Sequence, residues 1–225
     1  MVALRRFAAT VFLALASQTA LAQFGVPWTR SPSITVVANG DDPRVELVVS
    51  AVAFWNRTLE EIGSGFRLGA VTRVDRPIPE QALAGVSAAI VSPLGPIPRP
   101  TPDLVAGIPG DLVVFLAHAE FVSFAAPFDR DGRRYVAIRS ADGPPLNLPN
   151  VAPNVIAHEI GHAIGLGHND DPKTLMCGRP SPCRPREFQS PEPRMFPLTA
   201  EERQRLLRMY PRNWAAALPR REAKE

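Results

Sequence analysis

His158-Glu159-Ile160-Gly161-His162-Ala163-Ile164-Gly165-Leu166-Gly167-His168 is the stretch from which the rest of the chain is best read. His158 and His162 are four residues apart, so on a helix they project from one face and can reach a single metal ion. Glu159 adjoins the first of them, where a carboxylate can take a proton from a metal-bound water. Gly165 can end the helix by adopting positive φ, and the turn that follows brings His168 round as a third nitrogen ligand. Three neutral imidazoles and one open position describe a catalytic zinc site, whereas structural sites are usually closed by four protein ligands. A bare His-Glu-x-x-His also occurs by chance on ordinary helices. Here, however, the chain has only four histidines and three of them fall in these eleven residues.

These residues resemble the HExxHxxGxxH signature of the metzincin clan of zinc endopeptidases, and the chain looks most like a bacterial matrixin-type member. Thr174-Leu175-Met176-Cys177 fits the methionine turn of that clan, eight residues beyond His168, a spacing closer to matrixins than to astacins or reprolysins. The resemblance implies that Met176 forms a base under the three histidines without ligating the metal. It implies one catalytic Zn2+ and hydrolysis of internal bonds in protein or peptide substrates. It also implies an α+β metzincin-type fold: a mixed twisted β-sheet packed on a long helix, with a zinc helix and a C-terminal helix. Substrate would bind in extended form along an edge strand, for which residues 134–139 are the first choice. Two departures stand out, since matrixins usually have serine where this chain has Asn169 and Tyr-Pro where it has Cys177-Gly178. The specific motifs cover residues 158–177, and a looser likeness in element order runs from Trp28 to Tyr210.

The N-terminus has the marks of a signal peptide over residues 1–22. Arg5 and Arg6 form a positive start, Phe7 to Ala16 is largely apolar, and Ala20-Leu21-Ala22 is a small-x-small cleavage site. A secreted or periplasmic location follows, with residues 23–215 as the catalytic domain and 216–225 as a polar tail. Of the 25 basic and 22 acidic residues, the leader holds two basic and no acidic ones, leaving 23 against 22. A net charge so near zero favours neither nucleic acid nor an anionic membrane as partner. No stable membrane insertion is expected, and a monomer is. The two cysteines, Cys177 and Cys183, are an even count at short spacing in an exported chain, which favours a small disulfide loop. The alternative is a free Cys177 thiol able to block the metal. In matrixins the corresponding segment lines the primed-side specificity pocket. No cysteine precedes the motif, so a cysteine-switch propeptide is not expected.

Local patterns supply the elements. Ile34 to Ala38 is a β-branched strand. Asp42 is a candidate N-cap, with Pro43 at the first helical position, for a helix that carries Val45, Val48, Val49, Val52, Leu59 and Ile62 and ends at Gly63. Phe66 to Val74 reads as a second strand, and Ala82 to Ala89 as a short helix leading into a strand. Leu112 to Leu116 fits a buried strand. Arg134 to Arg139 alternates as a strand with one solvated face. Asn150 caps the motif helix, and Thr199 with Glu202 forms a capping box for a last helix bearing Leu206, Leu207 and Met209.

The remaining candidates carry less. His118 is expected at a strand end, bonded to backbone or water, and one spare histidine does not build a second zinc site. Asp129, Asp131 and Gly132 resemble the start of a calcium loop but lack the closing glutamate, so a hairpin turn is expected and Ca2+ stays open without support. Asn169-Asp170-Asp171 reads as a solvated turn in which Asp170 could orient a histidine. A second functional reading is an exported zinc protein that binds a protein or glycan surface with little turnover. A pure binder has no need of Glu159.

Overall fold

Ile34–Ala38 (β1) is buried at every position, which is what a strand covered on both faces requires. In the computed structural model, which describes residues 26–92, 104–127, 132–178, 181–183, 186 and 189–216, it lies inside a five-stranded sheet. The chain continues through Arg44–Glu61 (α1), Val71–Asp75 (β2), Glu80–Val91 (α2), Leu112–Leu116 (β3), Phe124–Pro127 (β4) and Arg134–Ile138 (β5). Val151–Ala163 (α3) carries the histidine motif, and Ala200–Met209 (α4) closes the fold. Sheet order is β2-β1-β3-β5-β4, with every pair parallel except β4 against β5. The expected mixed twisted sheet on a long helix, with a zinc helix and a C-terminal helix, is present. The signal peptide, the Asp129–Asp131 turn and the chain beyond Ala216 lie outside the described residues.

The sheet separates two cores by strand alternation. Leu112, Val114 and Leu116 of β3 and Val136 and Ile138 of β5 pack with Trp55 and Leu59 of α1 and Ile156 and Ile160 of α3. Val113, Phe115, Tyr135 and Ala137 face the other way, onto Leu83 and Val86 of α2. This second layer corrects the reading of residues 134–139 as a half-solvated edge strand. β5 is buried throughout and lies between β3 and β4. Its polar-apolar alternation reflects Arg134, whose guanidinium is itself buried. The edge on that side is β4, which pairs Phe124 with Ala137 and Ala126 with Tyr135. Its Ala-Ala-Pro composition gives almost no strand signal, and proline is tolerated because the strand has a free side.

Other boundaries shift for local reasons. Pro43 sits at the N-cap of α1, one place earlier in the helix frame than expected, and Asp42 still accepts the Arg44 N–H at 2.9 Å. The second strand begins at Val71, not Phe66, because Leu68 N–H donates to Asn56 Oδ1 and Gly69 N–H to Pro32 O. Residues 80–91 are helical throughout, and residues 93–103, where the expected following strand would fall, lie outside the described residues. Asn150 is the N-cap of α3, but its side chain does not cap the helix. It bonds Ser190 O, Glu192 O and Arg194 N–H instead, strapping the later loop across the helix start. The Thr199–Glu202 capping box forms as expected.

Asp42 and Arg44 form a buried ion pair that also holds the sheet. The Arg44 guanidinium donates to Leu116 O, Ala117 O and Arg139 O, where β3 and β5 end. Burial alone would raise the Asp42 carboxyl, but the Arg44 guanidinium and N–H outweigh it and hold it below the ordinary carboxylate range. Asp42→Ala, leaving that cation buried without its counter-ion, should cost about 3 kcal/mol of stability in denaturant titration. In the parent, because the folded pKa is depressed, this contribution is present at neutral pH and is lost as pH falls through the carboxylate range.

Candidate metal centre

α3 is buried at nearly every position, and its sequence places the motif by helical spacing. His158 and His162 lie one turn apart with ring centroids 4.6 Å from each other. The helix then stops in a Schellman arrangement. Gly165 N–H bonds His162 O, Leu166 N–H bonds Gly161 O, and Gly165 takes a φ of 108°. That reversal carries His168 back over the helix, as the glycine predicts. His168 Nε2 lies 3.2 Å from His158 Nε2 and 3.0 Å from His162 Nε2. Among the described residues this is the one group of histidine, cysteine and carboxylate side chains able to hold a metal ion.

The donor set fits zinc. Four-coordinate zinc with Zn–N bonds of about 2.0–2.1 Å sets its ligand nitrogens about 3.3 Å apart, close to the spacing here. Backbone carbonyls set the ring orientation: Leu175 O lies 2.8 Å from His158 Nδ1, and Leu166 O lies 2.8 Å from His162 Nδ1. With a proton on each Nδ1, the Nε2 lone pairs of both rings face the common point. These carbonyls take the orienting role considered for Asp170, which is exposed. Burial, and after it the neighbouring His168, pushes His162 down to about 4, while the Leu166 carbonyl acts in the opposite sense. His162 is therefore neutral at physiological pH, the form that ligates. His168 is lowered by burial too.

Glu159 is buried beside the first histidine, and burial pushes its carboxyl up to about 8. A positive charge nearby would favour the ionised form again. The cleft in front of these groups encloses about 710 Å³ and is lined by all three histidines, Glu159 and the disulfide. Cys177 and Cys183 are bonded, so Cys177 is not a free thiol. Met176 is fully buried beneath the histidine helix. Tyr135 and Tyr210 are buried elsewhere: Tyr210 Oη donates to Ile164 O, and Tyr135 packs with Phe115 and Phe124. Neither lines the cleft. His118 is exposed, with its backbone N–H donating to Glu80 Oε1.

Residues 111–193 match the matrixin family model of peptidases, from the start of β3 to beyond the methionine turn. Over that segment, which holds the histidine motif and the methionine-containing turn, the chain is similar to matrixin-type zinc peptidases. Among solved structures it is similar to archaemetzincin from Methanopyrus kandleri, at 20% identity over 80% of this chain and 96% of that one, with a TM-score of 0.44. No curated protein matches it in sequence.

Two glycines of this centre escaped the sequence reading. A Cβ on Gly161 would lie 2.5 Å from Met176 Sδ and 2.9 Å from Trp55 Cζ2. A Cβ on Gly178 would fall within the His168 ring. Gly161 could have been suspected, since a glycine inside a helix costs about 1 kcal/mol against alanine and usually has a packing reason. Gly178 had no such signal, because its importance comes from a ring ten positions upstream. Asn169, the departure from serine, bonds Thr174 and the capping-box Glu202, and its backbone pairs with that of Met176 and Gly178. Gly178→Ala should displace the His168 ring and weaken zinc binding at least about tenfold with little change in the helical circular dichroism. Competition with a fluorescent chelator measures the first and a far-ultraviolet spectrum the second.

Proposed function

We propose that the chain is an exported endopeptidase that hydrolyses internal peptide bonds, with His158, His162 and His168 as the ligands of one catalytic zinc and Glu159 as the proton carrier. The observation that carries this reading is the position of Glu159. It is buried within a peptide-sized cleft, next to three converging imidazoles, and forms no ion pair among the described residues. A carboxylate kept only for structure would be paired or would face solvent.

Bound zinc supplies Lewis acidity, polarising the scissile carbonyl and making water acidic near neutral pH. Glu159 then accepts a proton from the attacking water and returns it to the leaving amine. Its buried setting suits both transfers, because desolvation raises the carboxyl to about 8 and a cation held by the adjacent histidines would draw it back towards neutrality. The free side of β4, beside the cleft, would take the substrate in extended form by adding a strand to the sheet. Phe124 and Ala125 of that strand line the cleft, opposite the loop closed by Cys177 and Cys183. Cleavage of residues 1–22 on export, and the disulfide that an oxidising compartment permits, belong to the same reading. Among the described residues no helix is long and apolar enough to cross a membrane.

Protein produced from Gln23 onward should cleave an internally quenched peptide library, lose that activity to a zinc chelator and regain it with added zinc. Glu159→Ala should lower turnover at least about a hundredfold while metal analysis still finds one zinc per chain. A folded, zinc-loaded parent that leaves every peptide of the library intact would contradict the endopeptidase reading.

A further inference from the structure

The cleft is largely apolar. Ile90, Val91, Val122, Phe124, Leu146 and Val155 contribute to its walls. Apart from the histidines and Glu159, Arg139 is the single charged residue in its lining among the described residues. That arginine follows β5 directly and its backbone is fixed on both sides. Its N–H donates to Ser123 Oγ at 3.2 Å, and its carbonyl accepts from Arg44 at 2.8 Å. The side chain is 22% exposed. Nη2 lies 2.8 Å from Glu120 Oε2, but among the described residues the buried Nε finds no acceptor. Glu120 is 60% exposed, so its hold on the guanidinium is weakened by solvent.

Nη2 is thus held only by a solvated carboxylate and a 3.4 Å contact to Pro144 O. A partly exposed arginine so held on the cleft wall can turn its guanidinium to take a planar anion through paired N–H groups. The unsatisfied Nε favours that turn. Resting on the reading of this cleft as the peptide-binding site, we propose that Arg139 is its specificity-determining residue and binds an acidic side chain of the substrate at the Ser123 end of β4. The substrate class is then an extended peptide with apolar side chains along most of the cleft and one aspartate or glutamate near the scissile bond. Glu120 acts as a placeholder: it keeps the guanidinium oriented in the free protein and competes with the incoming carboxylate.

The test separates recognition from turnover. Zinc-loaded Glu159→Ala protein is titrated with fluorescein-labelled, end-blocked peptides in which one glutamate, or a glutamine in its place, is scanned along an apolar sequence. At one position the glutamate peptide should bind about tenfold or more tightly. Adding Arg139→Gln should abolish that preference with the glutamine peptide unchanged, and Arg139→Glu should turn it towards lysine. Glu120→Gln, which leaves the guanidinium untouched, should enlarge the preference by removing the competitor. Equal binding of both peptides at every position, or a preference that survives Arg139→Gln in protein with unchanged zinc content and melting temperature, would overturn the proposal. A parent that cuts no peptide while the Arg139-dependent preference persists would refute the endopeptidase reading and uphold this one.

Discussion

Everything at the centre depends on how closely α1 and the methionine turn can approach the histidine helix, and Gly161 sets that approach. With no side chain at 161, the Trp55 ring and the Met176 thioether both press on the helix backbone. Trp55 Nε1 also donates to Ala157 O at 2.9 Å, so its indole is satisfied where it is buried. The glycine costs helix propensity, about 1 kcal/mol, and the burial of a tryptophan and a methionine against it offsets that cost. Met176 in turn fixes its neighbours. Leu175 O meets His158, and the Met176–Gly178 backbone pairs with Asn169 next to His168. Two of the three imidazoles are therefore aimed by the same turn that packs on Gly161.

The ends of α3 are held with comparable care. Trp28 Nε1 and the Arg134 guanidinium both donate to Ala163 O, and Tyr210 Oη donates to Ile164 O. These are the carbonyls that a helix leaves unpaired at its C-terminus, and a cation there also suits the helix dipole. At the other end Asn150 and Asn154, both fully buried, spend their amides on the backbone of residues 190–196. A helix anchored at both ends has little freedom to rotate. The three imidazoles are then presented in one geometry, the preorganisation that a metal site needs.

Much of this was legible from sequence, for identifiable reasons. The methionine turn was legible through the family resemblance, whereas the histidine helix, its glycine stop and the third histidine are short-range patterns whose spacing sets their geometry. β1, β3, the disulfide and the capping box of α4 were legible for the same reason. The edge of the sheet was not. Arg134 to Arg139 alternates like a half-exposed strand only because the alternation counts arginine as solvated, whereas Arg134 is buried at 4% exposure against the Trp28 ring and the end of α3. Phe124–Pro127 has too little β-propensity to be noticed, and only its pairing with β5 makes it a strand. The partners of Gly178 and the carbonyls on the histidines are likewise products of tertiary packing.

This division between short-range chemistry and long-range walls bears on how such a peptidase can diverge. The zinc helix, the methionine turn and the edge strand all lie within residues 111–193, the segment that matches the matrixin model. One wall of the cleft does not. Ile90 and Val91 belong to α2, which precedes that segment, and α2 also supports the approach to β4. Ser87 Oγ exchanges hydrogen bonds with the Val122 backbone, and the Glu80 carboxylate accepts the His118 and Ala119 N–H groups. Changes in α2 can therefore reshape the wall and tilt the edge strand without touching a ligand. Side chains that are to hold a metal ion are constrained by its geometry to within tenths of an ångström, whereas cleft walls need only present a surface.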